Sequence, residues 1–595
     1  MKEKLQGQII KSLNRLGITE TSFTLEYPEN PDHGDFSSNV AMVTFKKFAG
    51  LVDSHIGKIS WVIEKSKIPK NPKEMAELII VELKKGQPDF VQSITIAGPG
   101  FINFKIKDKI FAENVVTIAK NGKEYGWNNS DSGKKIMVEY TDPNPFKVFH
   151  IGHLMSNAVG ESISRLIQSS GGNVIRACYQ GDVGLHVAKT IWAILKKQGF
   201  ENWRLGIGEK TVTEKVKWLG EMYVYGAKFD DDATAQKEIA MINKEIFGKS
   251  DPKINEIYEQ GRKWSLEYFD LIYERLGTKF DQFFFESEVA TDGVKVVREF
   301  IKKGVFTESE GAIIFKGEDY DLHTRVFITS QGLPTYEAKE IGLNIEKFKK
   351  YPDLDGSIIV TANEQGDYFK VLLKAFSLID QNIFTKTKHI SHGLLRFSSG
   401  KMSSRKGNIV SAESLLEDIR ELVAKKIAVR ELSLTDKNEI SDIVAIGAIK
   451  YTILRQSIGG DVIFDSTKSI SFEGDSGPYL QYSAVRAAAV LEKARIQDSR
   501  FKIQNESIPS EVTLLEKLIF RFPDIVERAR EEYSPQQVAN YLVNLAGAFN
   551  NYYAVQTIID EKDPQSSYRL ALTQAFLTTM TNGLWILGIK VPKKM

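Results

Sequence analysis

The stretch Ile136–Arg165, I-M-V-E-Y-T-D-P-N-P-F-K-V-F-H-I-G-H-L-M-S-N-A-V-G-E-S-I-S-R, decides the fold of this 595-residue chain. Ile136–Tyr140 is a short apolar run of strand type. Pro143 and Pro145 stop that strand and delay any helix. Proline fixes φ, lacks an N–H and pushes the residue before it into extended backbone. From Gly152 onward Leu154, Ala158, Ile163 and Leu166 recur at roughly the helical period. The reading is strand, tight loop, helix, with His150-Ile151-Gly152-His153 at the helix mouth.

A helix mouth of this kind suits a nucleoside triphosphate. Its first N–H groups lack intrahelical partners and carry partial positive charge. Gly152 has no side chain, so a base or ribose can lie against the backbone. His150 and His153 can donate hydrogen bonds to phosphate oxygens as charge develops in an in-line displacement. The plainer alternative is two surface histidines. The chain has only eight histidines, so two flanking a glycine after a proline-broken strand favour the site.

With Lys401-Met402-Ser403-Ser404-Arg405-Lys406-Gly407, the H-I-G-H tetrapeptide resembles the class I aminoacyl-tRNA synthetases. The run Asn144-Pro145-Phe146-Lys147-Val148-Phe149-His150-Ile151-Gly152-His153 is similar to the pattern of the arginyl-tRNA synthetase family. The resemblance covers nearly the whole chain. It implies ATP, with magnesium accompanying it, and a two-step ligation of L-arginine to tRNA(Arg) that requires tRNA for the first step. It implies catalytic roles for His150, His153, Lys147 and Lys401, and ATP contacts from Gly152, Ser403, Ser404, Arg405 and Lys406. Ser404 stands where the wider class carries a second lysine, and Lys147 is read as supplying that charge.

The totals agree with a multi-domain soluble protein. Single cores rarely exceed about 250–300 residues. There are 79 basic and 77 acidic residues, net +2, so any RNA-binding surface must be a local patch. The one cysteine, Cys178, excludes an intrachain disulfide and a cysteine-clustered zinc site. It lies in the apolar run Val174–Tyr179 and reads as a buried strand residue. The N-terminus is an amphipathic helix pattern and lacks a signal-peptide core. No stretch approaches the ~18 apolar residues of a membrane span. A cytoplasmic monomer, without a membrane and without zinc, is expected.

Along the chain, the expected fold is α/β: a Rossmann-type catalytic domain with an insertion, a small N-terminal α/β domain and an all-α C-terminal domain. Residues 1–120 form the N-terminal module, with Val40–Phe48 helical and Ser93–Ile106 a strand bent at Gly98-Pro99-Gly100. By resemblance it meets the outer corner of tRNA, with Phe101 and Asn103 as candidate contacts. Residues 132–395 form the catalytic domain, with long charged helices at about 198–325 read as the insertion. The sheet is expected to resume at Arg325–Thr329. Residues 396–473 carry the 401–407 loop and a helical segment. Residues 474–595 resemble the family's anticodon-binding domain, with Tyr479, Gln481, Arg486 and Tyr553 as candidate RNA contacts, since aromatic rings and arginine stack on splayed bases.

A guanidinium calls for planar acceptors, and a carboxylate matches its fork. Glu139, at the first strand's end, and Glu340, with Tyr336 beside it, are the candidates. Resemblance adds Asn144 and Gln365 on the amino-acid end. On sequence alone, without the resemblance, Glu340 reads as a solvent-facing helix residue. Two alternatives to arginine–tRNA ligation stay open: another class I synthetase, and a tRNA-binding paralogue without catalysis.

Overall fold

The computed structural model describes residues 1–19, 21–28, 30–53, 69–205, 207–398, 411–497 and 508–595. The chain forms two compact units. One comprises Lys123–Lys493, Arg521–Val555 and Phe576–Met595; the other comprises Met1–Gly122, Ala494–Phe520 and Gln556–Ala575.

The larger unit is built on a parallel sheet of five strands. These are β1 (Lys135–Glu139), β2 (Asn173–Gln180), β3 (Gln282–Phe285), β4 (Gly356–Ala362) and β5 (Thr387–His392). Their order across the sheet is β5-β4-β1-β2-β3, and every pairing is parallel. The chain therefore winds outward from β1 in one direction, then returns and winds outward in the other. Between β1 and β4 lies the switch point, where open α/β sheets place their ligands. The helices that matter for the site are α1 (Ile151–Ser169), α2 (Leu185–Gln198), α3 (Pro252–Leu276), α4 (Glu286–Ile301) and α5 (Tyr336–Lys350). Cys178 is fully buried in β2, as its apolar surroundings indicate.

Two expectations need correction. The span 198–325 is not wholly an insertion, because β3 lies within it and forms the sheet's edge. Arg325–Ile328 does not rejoin the central sheet. It pairs antiparallel with Ala312–Phe315, which pairs with Thr307–Ser309 in a separate three-stranded sheet. Packing explains the choice: Phe327 and Ile328 are buried with Phe306 and Phe315 in one apolar cluster. The helices Val212–Ala227 and Ala233–Gly248, with α3, make up the charged helical portion.

Helix α1 is buried along most of its length. Gly160 lets it approach β1, since a Cβ there would fall 2.2 Å from Tyr140 Cγ. The Tyr140 hydroxyl is 2.5 Å from Glu161, which also accepts from Arg165 Nε at 2.7 Å and Arg176 Nε at 3.1 Å. Burial would raise the Glu161 pKa, but the two guanidinium groups hold it below the ordinary value. Arg165 donates onward to the carbonyl of Trp585, and Ser162 to that of Ile586. The final helix, Ser566–Ile586, is thus pinned at its end to α1.

In the smaller unit, an antiparallel sheet runs in the order Leu25–Glu26, Phe36–Ser38, Phe101–Ile106, Val91–Ala97. Helices Lys2–Arg15, Val40–Asp53, Pro72–Lys84 and Asp108–Asn121 accompany it. The expected single bent strand over 93–106 is a hairpin. Gly98 at φ +51° and Gly100 at φ +131° make the reversal, in backbone that favours glycine. The C-terminal region is helical, in Gly477–Gln497, Leu514–Glu531, Pro535–Val555 and Ser566–Ile586.

The α1–β1 approach gives a stability test. Gly160→Ala gains about 1 kcal/mol of helix propensity. It also drives a methyl into a ring held at its far end by Glu161, and such overpacking costs about 1–3 kcal/mol or more. The expected outcome is net destabilisation, seen as a lower urea midpoint.

Candidate active site

A cleft of about 460 Å³ opens at the switch point. Its wall is contributed by the carboxyl ends of β1, β2, β4 and β5, the mouth of α1 and the first turns of α4 and α5. Glu139, Asn144, His150, Gly152, His153, Tyr336, Glu340 and Gln365, far apart in sequence, all line it.

The loop from β1 to α1 is held in an uncommon shape. Thr141, Asp142 and Phe146 have φ of 84°, 46° and 67°. Non-glycine residues in this region carry strain that neighbours must offset. Ser156 accepts from Thr141 N–H at 2.9 Å and donates to the Val360 carbonyl at 2.9 Å, joining the loop to β4. Asn157 donates to Thr141 Oγ1, and Ser265 accepts from Phe146 N–H at 2.9 Å. Gly261 gives the Phe146 ring its room, because a Cβ there would come within 2.3 Å.

His150 is the N-cap of α1. Its Nδ1 accepts from Gly152 N–H at 3.1 Å, while its own N–H donates to His153 Nδ1 at 3.3 Å. The two rings stack with centroids 3.5 Å apart. The helix mouth is therefore capped from within, and the Gly152 N–H is not a free anion donor. Gly152 also serves the cap: a Cβ would lie 3.0 Å from His150 Nδ1. Burial, then the Lys147 charge, lowers the His150 pKa to about 4. Burial, then His150, lowers that of His153 well below its ordinary value. Both rings are neutral at pH 7. With each Nδ1 accepting, the remaining proton sits on Nε2. The site thus presents two Nε2–H donors.

Lys147 is half-buried with its Nζ 4.8 Å from the Tyr223 ring centroid. Burial, then Lys189, lowers its pKa. Lys401, Ser403, Ser404, Arg405 and Lys406 lie outside the described residues. Ser411, which follows that segment, forms a bridge with His150, and Ala412 N–H donates to the Phe149 carbonyl at 2.9 Å.

Four of the five carboxylates that line the cleft act on one another's charge, Glu139, Asp142, Glu286 and Glu340, and Glu364 is the fifth. Glu340 is 6% exposed, which corrects its reading as a solvent-facing residue. Burial, then Glu139, raises its pKa to about 8. Burial, then Glu139, also raises Asp142 well above the ordinary range. Two lysines balance part of this charge. Lys347 Nζ is 2.8 Å from Glu139 Oε2, and Lys339 Nζ is 2.7 Å from Glu286 Oε2. Tyr336 is exposed at the rim, with Lys339 Nζ 4.4 Å from its ring centroid. Sequence reasoning passed over Glu286, Asp142 and both lysines. The signal for Glu286 was its place directly after the apolar run Phe283–Phe285, at the carboxyl end of a strand.

The candidate RNA contacts separate. Gln481 is fully buried and donates to the carbonyls of Ile443 at 3.2 Å and Lys590 at 2.7 Å, so it is a structural residue. Asn103 is buried and accepts from Ser37 Oγ at 2.7 Å, and the same correction applies. Phe101 and Tyr553 are exposed. The Arg486 guanidinium lies between the rings of Tyr482 and Tyr553, at 4.7 and 5.1 Å. Tyr479 is half-buried.

Comparison with known proteins assigns this architecture to a class. The model for "tRNA synthetases class I (R), catalytic domain" matches residues 114–466. The arginyl-tRNA synthetase N-terminal domain matches residues 3–106, and the DALR anticodon-binding domain residues 480–595. The chain is 30% identical to the arginine–tRNA ligase of Halothermothrix orenii, over 100% of this chain and 99% of that protein. It is 29% identical to that of Clostridium botulinum, over 99% of each. Among solved structures, the Thermus thermophilus arginyl-tRNA synthetase superposes with a TM-score of 0.77 at 21% identity, covering 100% of both chains. That of Plasmodium falciparum gives 0.77 at 18% identity, over 100% of this chain and 99% of the other. The chain belongs to the arginyl-tRNA synthetase family of class I.

The histidine pair carries its own test. Nitrogen NMR of ring-labelled protein should show both imidazoles as Nε2–H tautomers at pH 7. The His150 ring should begin to titrate only below about pH 5.

Proposed function

We propose that the cleft between β1 and β4 carries out arginine–tRNA ligation. The arginine carboxylate attacks the α-phosphate of ATP and releases pyrophosphate. The terminal ribose hydroxyl of tRNA(Arg) then attacks the adenylate carbonyl, releasing AMP. Positioning and charge stabilisation suffice, so no protein nucleophile is required.

In this reading the Nε2–H groups of His150 and His153 donate to phosphate oxygens as charge builds on them. Gly152 forms the floor under the nucleoside. Lys147 and Lys401, with Ser403, Ser404, Arg405 and Lys406, hold the triphosphate. Magnesium carried on the ATP phosphates would neutralise part of their charge. Among the described residues no trio of His, Cys, Asp or Glu side chains forms a cage for it. Asn144 and Gln365 take the amino-acid end, while Glu139 and Glu340, with Tyr336, take the cationic end. Glu286 joins them on geometry. Phe101, Tyr479, Arg486 and Tyr553 remain as RNA contacts. Among the described residues no helix is long and apolar enough to cross a membrane. A cytoplasmic monomer fits the reading.

The observation that carries the substrate choice is the charge balance. Five carboxylates line the cleft and two lysines pair with them, so a site with all groups ionised holds an excess of negative charge. Free arginine brings a guanidinium and an ammonium against one carboxylate, a ligand of net positive charge. A neutral isostere such as citrulline leaves buried acceptors unpaired, at about 1–3 kcal/mol each.

Two measurements test this. ATP–pyrophosphate exchange with tRNA present should depend on arginine and not on the other amino acids. Exchange driven by a different amino acid would overturn the assignment, and Lys147→Ala should reduce the arginine-driven rate by orders of magnitude. The second measurement is pH dependence. A guanidinium pairs with ionised Glu340, whose pKa is about 8. At pH 7 about a tenth of such a group is ionised. The arginine KM should therefore fall about tenfold from pH 7 to pH 9, and Glu340→Gln should abolish the trend.

A further inference from the structure

Glu139 is the one acid of the cleft that lies on the central strand, and its carboxylate is only 2% exposed. An isolated buried carboxylate would take up a proton instead of staying charged. The ion-pair partner of Glu139 comes from the fourth turn of α5. Lys347 is 0% exposed, and its Nζ lies 2.8 Å from Glu139 Oε2. The contact is an ion pair, and neither the ammonium nor this oxygen makes a hydrogen bond. Glu139 Oε1 has no partner among the described residues, and Glu139 lines the cleft. Lys347 is not part of the cleft wall.

The same helix places Glu340, Asn344 and Lys347 at i, i+4 and i+7, so all three face inward on one stripe. Asn344 donates to Glu340 Oε1 at 3.2 Å. The stripe thus fixes one acid by an amide and another by an ammonium. We propose that Lys347 is a positioning residue for arginine recognition: it occupies one oxygen of Glu139 and so presents the other, with its charge intact, to the substrate cation. This rests on the reading of the cleft as the arginine site.

Charged and titratable groups surround Glu139 on each side. Asp142 comes from the loop after β1, Glu340 and Lys347 from α5, Glu286 from the start of α4, and Tyr179 from β2. Only Lys347 among them is a cation. Without it, three carboxylates would face one another with no cation among them.

The test is Lys347→Met in the full-length chain, assayed for arginine activation with tRNA present. The expected result is an arginine KM raised about tenfold or more at pH 7. The pH at which KM levels off should move upward. The ATP KM and the limiting rate at saturating arginine should change by less than about twofold. Lys347→Arg, which keeps the cation, should restore the pH profile. Equal losses in arginine KM, ATP KM and rate would mark a purely structural lysine and overturn the proposal, as would an unchanged arginine KM. Glu139→Gln separates this from the parent reading. If that variant leaves the arginine KM unchanged, the assignment of Glu139 fails, whatever Lys347 does. The double variant Glu139→Gln/Lys347→Met removes both charges and avoids a stranded one. Its arginine KM should match that of Glu139→Gln within about twofold. A further rise would overturn the proposal, and this comparison remains decisive if Lys347→Met alone does not fold.

Discussion

The site depends on a nine-residue loop that has no regular backbone ladder. Residues 141–149 contain two prolines and three residues in left-handed backbone. Such a segment keeps one shape only where side chains supply the missing partners. Ser156 does this at the most consequential point, because one hydroxyl ties the loop to α1, on which it sits, and to β4. Three residues of the cleft flank that junction. Glu139 ends the strand before it, His150 begins the helix after it, and Gln365 follows the strand beside it.

Around this frame the chemistry divides by charge. The helix mouth presents neutral imidazoles, whose low pKa values follow from burial and from Lys147 nearby. The far end presents carboxylates, whose raised pKa values follow from burial and from one another. An anion-accepting end and a cation-accepting end share one cleft, as a reaction between a triphosphate and a cationic amino acid requires. Buried carboxylates in such number are unstable unless something cationic joins them. Lys339 and Lys347 meet part of that need, and the remainder favours a ligand.

The strand–loop–helix of Ile136–Arg165 was legible because proline and helical periodicity are local signals. The H-I-G-H pair was legible for the same reason. The edge strand Gln282–Phe285 was not. It has four residues, does not alternate, and follows a 25-residue helix that masks the return to the sheet. Losing it hid Glu286, the residue at its carboxyl end. Helix α5 misled in another way. Its text, Y-E-A-K-E-I-G-L-N-I-E-K-F-K-K, reads as solvated, yet Glu340, Asn344 and Lys347 form a buried polar stripe. A polar stripe and a solvent face look alike in sequence, and only the partner surface distinguishes them. Gln481 and Asn103 failed for the converse reason, being polar groups consumed by internal acceptors and donors.

The imidazole at position 150 does two jobs with two atoms of one ring. One nitrogen finishes a helix and the other is the donor proposed for the reactants. Asparagine can inherit the first task, since it is a favoured cap, but it is too short for the second. Glutamine can extend an amide toward the second while giving up the first. Architecture and reactivity at this position can therefore be lost independently, and a variant that folds normally says nothing about whether it still works.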